Sequence, residues 1–191
     1  MPAERAYVPA MPALMTADEL LHAHIPDKHV ELVRGVLIVR EPPGLPHGRV
    51  AVELAGRLAD HARAASLGRV YVESGFKLAS DPDTVRGPDV AFVSRRRLPD
   101  PEPPGFGDFA PDLVVEIRSP GDRPGEVLAK VADWLSAGTL LVWVVDPERR
   151  LAHVYRQDGS ETLLSADDQL DGEDVLPGFA CPLVTIFDPA P

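Results

Sequence analysis

Apolar and polar positions alternate along this chain in short runs, broken by three stretches of helical period. Thr16 and Glu19 have the spacing of a capping box, which predicts a short helix reaching about His24 and stopped by Pro26. HVELVRGVLIVR, His29 to Arg40, reads as two β-rich runs around Arg34-Gly35, a hairpin or tight bend. After the loop EPPGLP, His47 to Ser66 sets Val50, Leu54, Leu58 and His61 or Ala62 at helical spacing, with Gly68 as the expected stop. Three strand signals follow with no helix between them: Arg69 to Leu78, Arg86 to Val93, and Pro111 to Arg118. They predict a meander. Arg123 to Ala137 returns to helical period, with Val127, Val131, Trp134 and Leu135 on one face and Gly138 as its stop.

TLLVWVVD, Thr139 to Asp146, is a continuous apolar run, the mark of a central strand covered on both faces. Leu151 to Arg156 and Glu161 to Leu164 add an antiparallel extension, and Leu183 to Phe187 is the last apolar segment. No repeat is visible. The pattern therefore predicts an α/β fold with a mixed central β-sheet flanked by helices, an N-terminal hairpin and C-terminal antiparallel strands.

Length and composition narrow this picture. At 191 residues and 45% hydrophobic content the chain suits one core, read as a single domain over 16–191 behind a loose Pro- and Ala-rich tail, 1–15. Glu4 and Arg5 interrupt any secretory core in that tail. The longest apolar run, Leu140 to Val145, falls far short of the ~20 residues that span a bilayer, so a soluble, cytoplasmic protein without membrane contact is expected. Cys181 is the sole cysteine, which excludes an intrachain disulfide and a thiolate cage. A metal would need oxygen or imidazole ligands. A formal charge of −11 argues against a surface that clings to nucleic acid everywhere, so any DNA binding must be local. Lysine is scarce, only Lys28, Lys77 and Lys130.

The candidate chemistry lies in the strand Pro111 to Arg118. Alternation sends Leu113, Val115 and Ile117 to one face and Val114, Glu116 and Arg118 to the other. Asp89, just after Gly87-Pro88, starts the preceding strand, so pairing of the two strands would bring both carboxylates to one point. Two carboxylates and a carbonyl suit Mg²⁺, a hard ion that can activate water and stabilise charge on phosphate. Arg118 would be an electrostatic helper, since guanidinium is a poor base. The plainer alternatives are a Pro-Asp turn and an exposed Glu/Arg pair worth under ~1 kcal/mol.

These residues carry a resemblance. ELVRG at Glu31 to Gly35, His47 at a helix start, RGPDVAFV at Arg86 to Val93, PDLVVEIRSP at Pro111 to Pro120, Lys130, and WLSAGTLLVWVVDPERR to Arg150 resemble the Uma-two family of putative restriction endonucleases, a branch of the PD-(D/E)XK nucleases. The likeness runs from about Thr16 to Phe187 and implies a restriction-endonuclease-like core of helix, three-strand meander, helix and strand. It also implies a Mg²⁺- or Mn²⁺-dependent endonuclease acting on DNA, with Asp89 and Glu116 as metal ligands. Arg118 stands where the family motif has lysine, and Lys130 matches the family's helix lysine; either could serve as the cation. Glu31 resembles an extra acidic residue that members bring to the site. His47 is read as a proton carrier or a helix-start packing group, and Arg95-Arg96-Arg97 as a phosphate-backbone contact or a solvated face. A nuclease-fold binding or regulatory protein without turnover, and hydrolysis of another phosphoester, are the competing readings. A homodimer is expected, since it would address two strands.

Overall fold

The computed structural model describes residues 14–25 and 29–189. The tail up to residue 13, the stop at Pro26, and Lys28 lie outside the described residues. Leu14 and Met15, assigned to the tail, are tied down: the Met15 amide donates to the Gly35 carbonyl at 2.8 Å, and Leu14 lies so close over Gly35 that a Cβ there would stand 2.7 Å from its own.

α1 (Ala17–His22) begins at the expected capping box. Thr16 Oγ1 accepts from the Glu19 amide at 3.2 Å and Glu19 Oε2 accepts from the Thr16 amide at 2.7 Å. Asp83 Oδ2 satisfies a third free donor, the Ala17 amide, at 2.8 Å. β1 (His29–Val33) and β2 (Val36–Arg40) form the expected hairpin, paired from His29↔Arg40 to Val33↔Val36. Arg34 and Gly35 both have positive φ, 50° and 76°, the turn geometry that matches the twist of a hairpin.

α2 (Leu45–Ala64) starts two residues before His47, because Pro46 in its first turn brings a helical φ and needs no amide partner. It buries His47, Val50, Leu54, Leu58 and Ala62. Gly68 is not its stop. The helix ends at Ala64, with Ser66 at φ 54°, and Gly68 opens β3 (Gly68–Val72). A Cβ on Gly68 would lie 2.1 Å from the Val93 carbonyl oxygen, so this glycine permits strand approach.

Two of the three expected strands are each broken in two. The first divides at Glu73, φ 53°, into β3 and β4 (Phe76–Ala79). The second divides at Gly87-Pro88-Asp89 into β5 (Thr84–Arg86) and β6 (Val90–Ser94). These breaks send β4 and β5 to the hairpin, giving a four-stranded sheet of order β2-β1-β5-β4.

β7 (Leu113–Ile117), β8 (Leu141–Asp146), β9 (Leu151–Arg156) and β10 (Glu161–Ser165) join the remaining pair in a six-stranded sheet, β10-β9-β8-β7-β6-β3. The meander expectation thus survives as β3-β6-β7. β7 and β8 run parallel, joined through α3 (Pro124–Ser136), the kind of crossover a parallel pair requires. A small hairpin, β11 (Gln169–Asp171) with β12 (Ala180–Pro182), was not foreseen; α4 (Val184–Phe187) forms the last apolar segment.

Strand parity builds the core. Val90, Phe92, Leu113, Val115, Ile117, Leu141, Trp143 and Val145 face α2, where Val50, Leu54 and Leu58 meet them. Ala91, Val93, Val114, Val142 and Val144 face the other way, onto Val131 and Trp134 of α3. One helix therefore covers each face of the mixed sheet, and each fully buried large side chain adds roughly 1.5–3 kcal/mol. Glu116, between Val115 and Ile117, is on the α3 face.

Candidate active site

The two sheets meet where Gly87-Pro88-Asp89 leads the chain from one to the other, and the candidate residues gather there. The β6/β7 ladder pairs Val90 with Val115, so its next step sets Asp89 against Glu116. The Ile117 amide donates to Asp89 Oδ2 at 2.5 Å, and His47 Nε2, on the first turn of α2, lies 3.2 Å from Asp89 Oδ1. Glu116 is fixed from α3: Trp134 Nε1 donates to Oε1 at 2.8 Å and Lys130 Nζ to Oε2 at 3.1 Å. Lys130 and Trp134, four apart, share a helix face.

Glu31 enters from β1. Its Oε1 lies 3.2 Å from Lys130 Nζ, while its Oε2 accepts from Arg86 Nη1 at 2.9 Å. Arg86 in turn donates through Nε and Nη2 to Asp133 Oδ2 on α3, at 3.0 and 2.6 Å. This buried guanidinium ties the four-stranded sheet, through β1 and β5, to α3, and it uses its fork geometry to do so. All these groups except Arg86, Asp133 and Trp134 line one cleft of about 440 Å³.

Burial and like charge set the electrostatics. Burial pushes the Glu116 carboxyl up, to about 7; Lys130 opposes this, and Asp89 and Glu31 add to it. Burial alone would favour a neutral Lys130 amine, yet Glu116, Glu31 and Asp89 outweigh it and hold the group as a cation. For His47 too, burial disfavours charge, but the hydrogen bond and charge of Asp89, with Glu73 and Asp122 beyond, raise its pKa. Three carboxylates around one ammonium leave an excess of negative charge.

That donor set fits a hard divalent cation. Among the described residues no group of three or more His, Cys, Asp or Glu side chains is placed to hold a metal ion. A pair of carboxylates on an open cleft instead matches the habit of Mg²⁺, which takes one or two carboxylates and keeps waters and phosphate as its other ligands. Asp89 and Glu116 each retain lone pairs beyond the hydrogen bonds they accept.

Sequence reasoning put Arg118 beside Glu116; the structure does not bring them together. Arg118 stands one residue past β7 and turns to Asp146 Oδ2 at 2.6 Å and the Asp122 carbonyl at 3.2 Å, at the cleft's border. Strand parity ceases to govern direction where the strand ends. Lys130 occupies the place beside Glu116.

The basic run Arg95-Arg96-Arg97 also lies elsewhere. It follows the far end of β6, six residues from Asp89 or roughly 20 Å at strand rise. Arg97 is bound into the fold by Asp112 Oδ1 at 3.1 Å and by the Ala110 and Gly138 carbonyls. The run therefore does not stand beside Asp89, and of its three arginines Arg97 is engaged within the fold.

Arg86, Asp133 and the Trp134 indole were not singled out from the sequence. Trp134 was placed correctly on the apolar stripe of α3, and its N–H, which needs an acceptor when buried, was the available signal. For Arg86 the signal was an arginine inside a strand run directly before Gly-Pro-Asp.

The fold has counterparts. A putative nuclease belonging to DUF820 from Anabaena variabilis ATCC 29413 shares it at a TM-score of 0.80 and 21% identity, covering 91% of this chain and 97% of that one. The DrdV–DNA complex is a looser likeness, TM-score 0.40 and 19% identity over 73% of this chain and 80% of that one. A comparison with curated proteins finds no match. The Uma2 family, described as "Putative restriction endonuclease", matches residues 17–184, and the chain belongs to that family.

Proposed function

We propose that this chain is a divalent-metal-dependent endonuclease that hydrolyses phosphodiester bonds of DNA. The observation that carries the reading is the register step that sets Asp89 against Glu116, with Lys130 Nζ 3.1 Å from Glu116 at the floor of an open cleft. Asp89 and Glu116 would hold Mg²⁺ or Mn²⁺, which when bound would supply Lewis-acid polarisation of a phosphoryl oxygen and a water made more acidic than bulk water.

The chain's own groups do the rest. Trp134 and the Ile117 amide each fix one carboxylate oxygen, so both acids are held in place before substrate arrives. Lys130, kept cationic by its three acidic neighbours, stabilises charge that builds on the phosphoryl oxygens and does not act as a base. Glu31 orients that ammonium and is itself oriented by Arg86. His47, on Asp89, carries a proton near neutral pH.

Incubation of purified protein with supercoiled and linear DNA across Mg²⁺ and Mn²⁺ concentrations tests this. Cleavage should appear only with the ion and fall at least ~100-fold in Asp89→Ala; a clean protein with no cleavage under any of these conditions would sink the proposal. A second reading, a nuclease-fold binding or regulatory protein without turnover, draws on the net charge of −11 and on Arg118 in the motif lysine's place. It predicts DNA binding with no product. A homodimer belongs to the first reading as a means of reaching both strands, and light scattering that shows only monomer on DNA would remove it.

A further inference from the structure

Six acidic side chains line the cleft, Glu31, Glu73, Asp89, Glu116, Asp122 and Glu126, yet the proposed substrate is a polyanion. Some cation there must have donors to spare. Lys130 is engaged by Glu116 at 3.1 Å and Glu31 at 3.2 Å, and Arg118 is hydrogen-bonded through both terminal nitrogens to Asp146 and Asp122. That leaves Arg40, the last residue of the edge strand β2.

Arg40 hydrogen-bonds to nothing through its guanidinium among the described residues. Its nearest acidic atoms are Glu31 Oε2 at 3.8 Å from Nε, and Asp122 Oδ1 at 3.8 Å and Glu126 Oε2 at 3.7 Å from Nη1. These separations locate the charge without consuming its donors. Its Nε, like that of Arg118, is buried and unpartnered, so the donors open to a ligand are the terminal nitrogens, which in Arg118 are both hydrogen-bonded and in Arg40 are not; the Arg40 side chain is 33% exposed at the cleft wall. A planar fork with unused donors matches the two non-bridging oxygens of a phosphodiester.

We propose that Arg40 is the substrate-backbone anchor of this cleft, binding a phosphate that flanks the bond to be cut. The inference rests on the nuclease reading and adds a residue that neither parity nor motif spacing indicated.

Fluorescence anisotropy with labelled single- and double-stranded DNA, in Ca²⁺ to prevent cleavage and across a KCl series, tests it. Arg40→Gln should bind about tenfold or more weakly, and the slope of log affinity against log salt should become shallower by roughly 0.7–0.9. Arg40→Lys should keep the slope but not all of the affinity, because the charge remains and the fork is lost. Arg34→Gln removes a charge from the same hairpin, at a side chain 76% exposed, and should bind as wild type does.

Equal binding by Arg40→Gln and wild type would overturn the assignment, and so would equal weakening by Arg34→Gln, which would mean diffuse charge only. If wild type itself binds neither strand form, the nucleic-acid reading fails and takes this inference with it, an outcome separable from loss of Arg40's role alone.

Discussion

Lys130 is the residue on which the proposed chemistry of the cleft turns. Its ammonium lies between Glu31 and Glu116, two nearly buried carboxylates on the cleft floor. Lys130→Met keeps the stem and removes the charge. It should lower the unfolding free energy by about 1–3 kcal/mol at neutral pH, as a buried group loses its partner, and DNA cleavage should drop by about two orders of magnitude. Urea titration and a cleavage assay check both, and a variant with wild-type stability and activity would show that the ion pair matters to neither. The sequence left the choice between this residue and Arg118 for the motif lysine's role open, with strand parity putting Arg118 beside Glu116 and chemistry preferring Lys130. Parity was a sound guide for Glu116, inside β7, and a poor one for Arg118, whose side chain is free to turn once the ladder has ended. Lys130 was legible as a match to the family's helix lysine; which carboxylates it met was not, because that depends on how α3 docks on β7.

At the scale of elements, long-period signals were readable and short breaks were not. The two covering helices, the hairpin and the buried strands β7 and β8 follow from patterns sustained over many positions. The breaks at Glu73 and at Gly87-Pro88-Asp89 involve one to three residues within β-rich runs, and their effect, moving β4 and β5 into a second sheet, arises from tertiary pairing. Yet the second break is what puts Asp89 at a sheet junction.

The N-terminal element depends on a similar long-range contact. Asp83, in the β4–β5 turn, caps the Ala17 amide and lies 3.2 Å from Lys77, and these hold its carboxyl below the usual value of 3.8. A depressed folded pKa contributes stability above the unfolded pKa and loses it as pH falls through the folded value. Asp83→Asn keeps an acceptor but cannot ionise. It should therefore be less stable than wild type by about 0.5–1 kcal/mol at pH 7, with the gap closing below the unfolded carboxyl value. Urea midpoints at neutral and acid pH measure this; a gap that persists or widens in acid contradicts it.

For the molecule as a whole, an acidic surface is compatible with the proposed nuclease function if the binding charge is concentrated at the cleft. A net charge of −11 discourages diffuse attraction to DNA, so on the proposed function affinity would come from a few cations at the cleft and from an ion shared between carboxylates and phosphate. The membership in the Uma2 family was legible from the Pro111 to Pro147 stretch, which holds both the acidic strand and the buried strand beside it. The direct trial of the account is anomalous diffraction from crystals grown with Mn²⁺. It predicts an ion between Asp89 and Glu116, with carboxylate oxygens at about 2.1–2.2 Å. A peak bound elsewhere, or none at saturating Mn²⁺ with Asp89 and Glu116 still held only by Ile117, His47, Trp134 and Lys130, would contradict it.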